Sequence, residues 1–279
     1  MGSTLARATS ASDSGVAPYR ELRERDLALR DRLFVAEGEV GLRVLATRGR
    51  FAVRSLLLEE RRVDAVRDVL EKLPASVTAY VVPQAVMDEI TGFHIHRGVL
   101  AIGERGLDLD PRAVLTDAIE GARPSLPMHP QVVVALVGLT NHDNVGGIFR
   151  NAAAFGARAV LLDAATCDPL YRKAIRVSAG AAFVVPFARC ASDAAMLAVL
   201  AETGFEPVAL TPRGEEAIDV IEPAPKRALL FGTEGDGLPE SVLAKTRRVR
   251  IAMDGVLDSL NVAVASGIAL HEELRRRRV

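Results

Sequence analysis

Asn144, Gly146 and Arg150 fall in GLTNHDNVGGIFRNAAAFGA, residues 138–157, where an apolar strand hands over to a helix. The preceding run QVVVALV has strand-like β-branched residues, and IFRNAAAF after it has the composition of a helix. A junction built from Asn141, His142, Asp143, Asn144, Gly146 and Gly147, with Arg150 following, is more polar than a plain turn requires. If the helix starts near Gly146, Asn144 lies in its entry loop and Arg150 in its first turns, and both can point at one ligand. Two further loops carry unusual residues. In FGTEGDGLP, residues 231–239, the glycines Gly232, Gly235 and Gly237 do not fit the dinucleotide fingerprint, and no Lys-Ser/Thr ending marks a phosphate loop. Glu234 and Asp236 would repel phosphate there, whereas carboxylates beside glycine suit a ribose or an amine approached closely by backbone. In IAMDGVLDSLN, residues 251–261, Ser259 is a good N-cap for the final helix. Asn261, in an otherwise small and apolar helix start, has less structural reason to be polar.

These loops need a frame that brings them together. From Gln131 onward the pattern alternates strands (VVVALVGL, ARAVLLD, AAFVVPFA, EPVALT, RALLFG, RRVRIAM) with helices, which predicts a mostly parallel sheet covered on both faces. In such a sheet ligands bind beyond the carboxyl ends of the strands, where all three loops sit. Residues 18–106 read as a smaller α/β unit, from YRELRERDLALRDRLF, with helical spacing at Leu22, Leu29 and Leu33, to the strand GVLAIGE. Within it FVAEGEVGLRVLAT reads as a turn then a helix, VRSLLLEE and VTAYVVP as strands, and VDAVRDVLEKL and QAVMDEITG as helices. Residues 1–17, rich in small residues, read as a disordered lead-in, and 107–130 as a linker with one short helix around 113–119. The domain at 131–279 completes the chain.

Charge is balanced throughout: 16 basic and 17 acidic residues up to Asp110, 19 of each after it. Bulk charge therefore does not announce nucleic acid, and any such surface must be a local patch. Arginine supplies nearly all of the positive charge, and its planar fork suits phosphates and stacks on bases. Cys167 and Cys190 fit neither a metal spacing nor a disulfide framework, so no metal is expected. No apolar run approaches the ~20 residues of a membrane span, and no signal-peptide core opens the chain. A cytoplasmic protein is expected.

Together, N-x-G-x-x-x-R (Asn144, Gly146, Arg150), G-x-E-G-x-G (Gly232 to Gly237) and S-L-N-V (Ser259 to Val262) resemble the three ordered motifs of the SpoU/TrmH family of RNA ribose 2′-O-methyltransferases, in the SPOUT superfamily. The resemblance covers about residues 131–279. FVAEGEVGLRVLAT and GFHIHRGVLAIGER look, more loosely, like the ribosomal-protein-like substrate-binding domain that often precedes it. The resemblance implies an α/β fold with a C-terminal trefoil knot, an exception to unknotted topology, and a homodimer that completes each site. It implies S-adenosylmethionine held by Leu210, Thr211, Gly232, Glu234, Gly235, Ile251, Met253, Ser259, Leu260 and Asn261. Asn144, Arg150, Glu234, Ser259 and Asn261 become the catalytic set. Where the family has Ile-Pro-Met, this chain has Ala252 in place of the proline, which should loosen that loop slightly.

A guanidinium stays protonated in proteins and is a poor base. Arg150 is therefore expected to bind the phosphate beside the target ribose and to stabilise the developing alkoxide. A phosphate oxygen, water or a carboxylate would take the proton, with Glu234 better placed as a partner of Asn144. Arg172, Lys173 and Arg176 are expected to extend the RNA surface. Arg275–Arg278 suit either phosphates or the negative end of the last helix. His94 and His96 share one side of a turn into a strand. The RNA is expected to be rRNA rather than tRNA. Rival readings are an RNA-binding assembly factor of the same fold without catalysis, and a dehydrogenase, which lacks its dinucleotide fingerprint here.

Overall fold

The computed structural model describes residues 2–20, 32–92, 95, 97–116 and 131–276. The chain divides into two units, Met1–Leu107 with Leu170–Val184, and Asp108–Pro169 with Val185–Val279.

The first unit is a five-stranded mixed sheet of β1 (Thr4–Arg7), β2 (Leu33–Glu37), β3 (Ala52–Glu59), β4 (Thr78–Val82) and β5 (Val99–Glu104), in the order β1-β4-β3-β5-β2. β1 and β3 run parallel to β4, while β5 is antiparallel to both β3 and β2. Leu56, Leu57 and Leu58 of β3 are fully buried, as expected for a central strand covered on both faces. Helices α1 (Gly38–Arg48) and α2 (Gln84–Thr91) pack on it. Gly103 stands opposite Phe34, whose ring occupies the space a Cβ would need.

Three expectations change here. The lead-in is structured: Thr4–Arg7 pairs with β4, Asp13 caps a short 3-10 helix over Ser14–Tyr19, and Val16 and Tyr19 are fully buried. Small residues obscured it, because an edge strand is held by backbone bonds rather than apolar side chains. The Tyr19 hydroxyl lies 2.8 Å from Ser55 Oγ, and burial raises its pKa well above the ordinary value. The helix expected over 19–34 falls mostly outside the described residues, and Leu33 and Phe34 begin β2 instead. VDAVRDVLEKL forms 3-10 turns and one α-helical turn, Arg67–Leu70, rather than one helix. His94 and His96 lie outside the described residues.

Leu170–Val184, assigned from sequence to the C-terminal domain, belongs to this first unit. Its helical turn Arg172–Val177 packs on β2 through Ala174 and Ile175. Phe183 stacks on Phe34 at 5.3 Å and meets Phe51 edge-on at 6.4 Å. The Arg50 N–H donates to Phe183 O at 2.9 Å. AAFVVPFA is accordingly no continuous strand: Ala181–Phe183 is a 3-10 turn, and Phe187–Arg189 alone is extended.

The second unit is a seven-stranded, wholly parallel sheet: β6 (Gln131–Leu136), β7 (Val160–Leu162), β8 (Phe187–Arg189), β9 (Glu206–Leu210), β10 (Glu216–Ala217), β11 (Lys226–Phe231) and β12 (Arg247–Arg250). Their order is β10-β12-β9-β11-β6-β7-β8. Residues 132–136 of β6 and 228–231 of β11 are at most 1% exposed, so the continuous apolar runs in the sequence reflect burial on both faces. One face packs Val133, Ala135 and Leu230 against Met196 and Leu200 of α4 (Asp193–Glu202). Across the sheet, α3 (His142–Phe155) lies against α5 (Val262–Arg276). These two helices approach closely, since a Cβ on Gly147 would sit 2.8 Å from that of Ala263. Asn151 Nδ2 donates across the seam to Ala263 O at 2.6 Å and Ser266 Oγ at 3.0 Å.

The expected linker is in part core. Asp110 caps the turn Pro111–Leu115, and Val114 and Leu115 are buried in the second unit. Residues 117–130 lie outside the described set. Fully buried Arg227 on β11 holds α5 by donating to Glu273 Oε1 at 2.8 Å, and also donates to Glu206 Oε2 at 3.0 Å. Among the described residues no helix is long and apolar enough to cross a membrane.

Candidate active site

The β6–α3 junction is a braced turn. Gly138 adopts φ +72°, a left-handed conformation that glycine takes without Cβ strain. Its N–H donates to Asp163 Oδ2 at 3.1 Å. Asp163 Oδ1 accepts from the Thr166 backbone at 2.8 Å and from its hydroxyl at 2.6 Å. Arg189 clamps the same turn by donating to Asp163 O and Thr166 O at 2.5 and 2.8 Å. Helix α3 starts earlier than the glycines suggested: Asn141 is its N-cap, accepting from Asp143 N–H at 2.9 Å. Asn144 therefore lies in the first helical turn and is 5% exposed, while Arg150 is exposed. Six helical positions turn through roughly 240° beyond one revolution, so the two side chains leave α3 in different directions.

Three polar side chains from the three loops converge. Asn144 Nδ2 donates to Glu234 Oε1 at 2.5 Å, and Asn261 Nδ2 donates to the same oxygen at 3.0 Å and to Asn144 Oδ1 at 2.9 Å. Asn261 Oδ1 accepts from the N–H groups of Ala263 and Val264 at 2.9 and 3.3 Å. Asn261, not Ser259, is thus the side-chain cap of α5, and the same residue ties the third loop to the other two. Bonds from two amides to one carboxylate are charge-assisted, so Glu234 is a fixed structural partner here, as expected.

Beside this triad lies a cavity of about 560 Å³ at the carboxyl ends of β9, β11 and β12, within the range of small-ligand pockets. Leu210, Thr211, Gly232, Glu234, Gly235, Ile251, Met253, Ser259 and Leu260 all line it. Asn261 does not line it and acts on it through Glu234. Phe231, Leu238, Leu243 and Val262 add an apolar wall. A Cβ on Gly232 would come within 2.3 Å of the Gly237 backbone, so that glycine lets the loop close on itself. Thr233 N–H then donates to Gly237 O at 3.1 Å, and Gly237 takes φ +73°. Around Gly235 the space is open, leaving backbone accessible from the cavity. An apolar wall, exposed backbone and carboxylates at Glu234, Asp236 and Asp258 suit the adenosyl and amino-acid parts of S-adenosylmethionine. Ala252 is exposed, and proline there would add no buried contact.

Other expected residues fall elsewhere. Arg150 does not line the cavity and its side chain has no partner among the described residues, so the structure brings Asn144, Glu234 and Asn261 together and leaves it outside them. Arg172, Lys173 and Arg176 belong to the first unit. Cys167 and Cys190 have thiols pushed up to about 11 by burial, which holds them protonated and unreactive near neutrality. Among the described residues no group of three His, Cys, Asp or Glu side chains is placed to hold a metal ion. Sequence reasoning missed Asn151, Asp163 and Arg213. Asn151 adjoins Arg150 in the first motif and Arg213 follows Thr211 by two, so proximity to the motifs was the available signal; Asp163 had none.

Residues 131–271 match the SpoU rRNA Methylase family. The chain is 38% identical, over 94% of its length and 89% of the relative's, to a Mycobacterium tuberculosis protein named as an uncharacterized tRNA/rRNA methyltransferase. Among solved structures it is similar to an AdoMet-bound rRNA methyltransferase from Sinorhizobium meliloti (26% identity, TM-score 0.79, 98% of each chain covered). It is also similar to an RNA 2′-O ribose methyltransferase (26% identity, TM-score 0.74, 98% of this chain and all of the other).

Proposed function

The chain belongs to the SpoU rRNA methylase family of RNA methyltransferases, and we propose that within it this protein methylates a ribose 2′-hydroxyl of structured RNA, rRNA rather than tRNA. The observation that carries the reading is the Asn144–Glu234–Asn261 triad locking three motif loops beside one cavity. S-adenosylmethionine, the cofactor, supplies the methyl group as an electrophile on a sulfonium. The lining residues would hold it through loop backbone and the apolar wall, while the triad fixes the relative position of the loops. Much of the acceleration then comes from placing the hydroxyl in line for transfer.

Arg150 binds the phosphate beside the target ribose and stabilises the alkoxide as the hydroxyl loses its proton. Its exposure and lack of a described partner support this, because a committed guanidinium could not receive a phosphate. The hydroxyl proton passes to a phosphate oxygen, to water or to a carboxylate. Glu234 already accepts two amide hydrogens at one oxygen and serves position rather than proton transfer.

The site is completed by a second copy of the chain. Val256 and Leu257, 90% and 69% exposed, stand near the start of α5, and Val264 and Ile268 are exposed on that helix. Such an apolar surface beside a site is suited to burial in a dimer. The C-terminal segment is proposed to thread the preceding loops as a trefoil knot, in keeping with the return of α5 onto α3 after the third loop. The first unit, with Arg172, Lys173 and Arg176, would bind structured RNA, and the protein would act in the cytoplasm.

Labelled S-adenosylmethionine incubated separately with unmodified rRNA and tRNA, with product mapping, tests the reading. Label at a ribose 2′-O of rRNA is the expected result; label on a base, or on tRNA alone, overturns it. Arg150→Ala is expected to lower turnover ~10²–10³-fold, the cost of removing one oxyanion donor, while cofactor binding by calorimetry stays unchanged.

A further inference from the structure

The cavity carries more negative than positive charge, and one cation stands out in it. Glu234, Asp236 and Asp258 line it together with a single basic side chain, Arg213. Glu234 is engaged by Asn144 and Asn261, whereas Asp236 and Asp258 have no partner among the described residues. A free carboxylate entering this space would be repelled unless Arg213 received it.

The Arg213 backbone is pinned while its side chain is not. Gly214 N–H donates to Thr211 O at 3.0 Å, and Arg213 N–H donates to Thr211 Oγ1 at 3.3 Å. A Cβ on Gly214 would fall 2.2 Å from the Val249 carbonyl carbon, so the turn is pressed against β12. Arg250 Nη1 clamps it further by donating to Gly214 O and Glu215 O at 2.8 and 2.7 Å. The neighbouring arginines are all committed: Arg247 to Glu216, Arg248 to Glu215, Arg250 to these carbonyls. The Arg213 guanidinium, in contrast to these three, has no acceptor among the described residues. It is exposed at the cavity rim on a rigid turn.

The amino-acid end of S-adenosylmethionine carries one carboxylate, one ammonium and one sulfonium. That is one negative and two positive charges, against one free cation and two free carboxylates in the cavity. We propose that Arg213 is the anchor for the methionyl carboxylate of the cofactor, the two oxygens meeting its planar fork. Asp236 and Asp258 supply the opposing charge for the two cationic centres. The adenosyl part is left to backbone and the apolar wall, so Arg213 sets which adenosyl sulfonium compound is accepted.

Isothermal titration calorimetry of the full-length protein tests this with S-adenosylmethionine and its decarboxylated analogue, which keeps the sulfonium and the amine. Arg213→Ala is expected to weaken S-adenosylmethionine binding about tenfold and the analogue less than twofold, erasing the wild-type preference between them. Arg213→Lys should recover part of that preference, since a lysine keeps the charge but not the fork. Equal weakening of both ligands would reveal a structural role for the turn and overturn the proposal. So would undiminished binding of S-adenosylmethionine by Arg213→Ala. The wild-type titrations report on the cofactor itself, so its failure to bind would count against the methyltransferase reading separately from this one.

Discussion

Glu234 is the acceptor on which two asparagines from separate loops depend. Glu234→Ala strands the amide hydrogen of Asn144, which is 5% exposed, and takes from Asn261 Nδ2 one of its two acceptors. Leaving a buried donor unsatisfied costs about 1–3 kcal/mol, so the urea midpoint should fall and S-adenosylmethionine affinity should drop at least tenfold by calorimetry. Glu234→Gln keeps one acceptor oxygen and should lose less of both. An alanine variant with unaltered midpoint and affinity would show that the triad organises nothing. The pairing of Asn144 with Glu234 was expected only once the resemblance had brought their two motifs to one site. The capping role of Asn261 was not, since Ser259 is an equally good cap by residue type and only the true start of α5 decides between them.

Helix α3 shows how one boundary changes a site. Placing its start at Gly146 made Asn144 and Arg150 look like partners; the Asn141 cap moves Asn144 into the helix and separates them. The sequence signal for that cap, an asparagine two residues before Asp143–Asn144, competed with two glycines that look like breakers. Those glycines serve packing instead. Gly147→Val would drive a branched side chain into Ala263 of α5, and overpacking of this kind costs about 1–3 kcal/mol. A lowered urea midpoint together with weakened cofactor binding is expected, because α5 carries Asn261 at its start. A midpoint shift with full cofactor affinity would mean that the α3–α5 seam supports the fold alone. Central strands such as β6 and β11 were readable as apolar runs; β1 and β10 were not, being short edge strands defined by their partners.

Across the second unit, Arg227 is the buried charge that secures the chain's end to the sheet. It is 1% exposed at the side chain and faces Glu273, 3% exposed. Glu273 also accepts from Arg276 Nη1 at 2.7 Å, so Arg227→Met removes one of its two cations and should destabilise by about 1–3 kcal/mol in urea unfolding. Adding Arg276→Ala should deepen the loss by leaving Glu273 without a cation; a double variant no worse than the single would place the cost in packing rather than charge. The family could be read from three motifs and their spacing and the parallel sheet from the alternation of strands with helices, whereas the unit boundaries could not, since contiguity in sequence hid the attachment of Leu170–Val184 to the first unit. The polypeptide crosses between units three times, at 107/108, 169/170 and 184/185. As the chain emerges from the ribosome, the first unit lacks Phe183, the ring that stacks on Phe34 and meets Phe51, until β6, α3 and β7 have been made. The two units must therefore mature in an interleaved order, and recombination at a single breakpoint could not exchange one for another without tearing a piece from its neighbour.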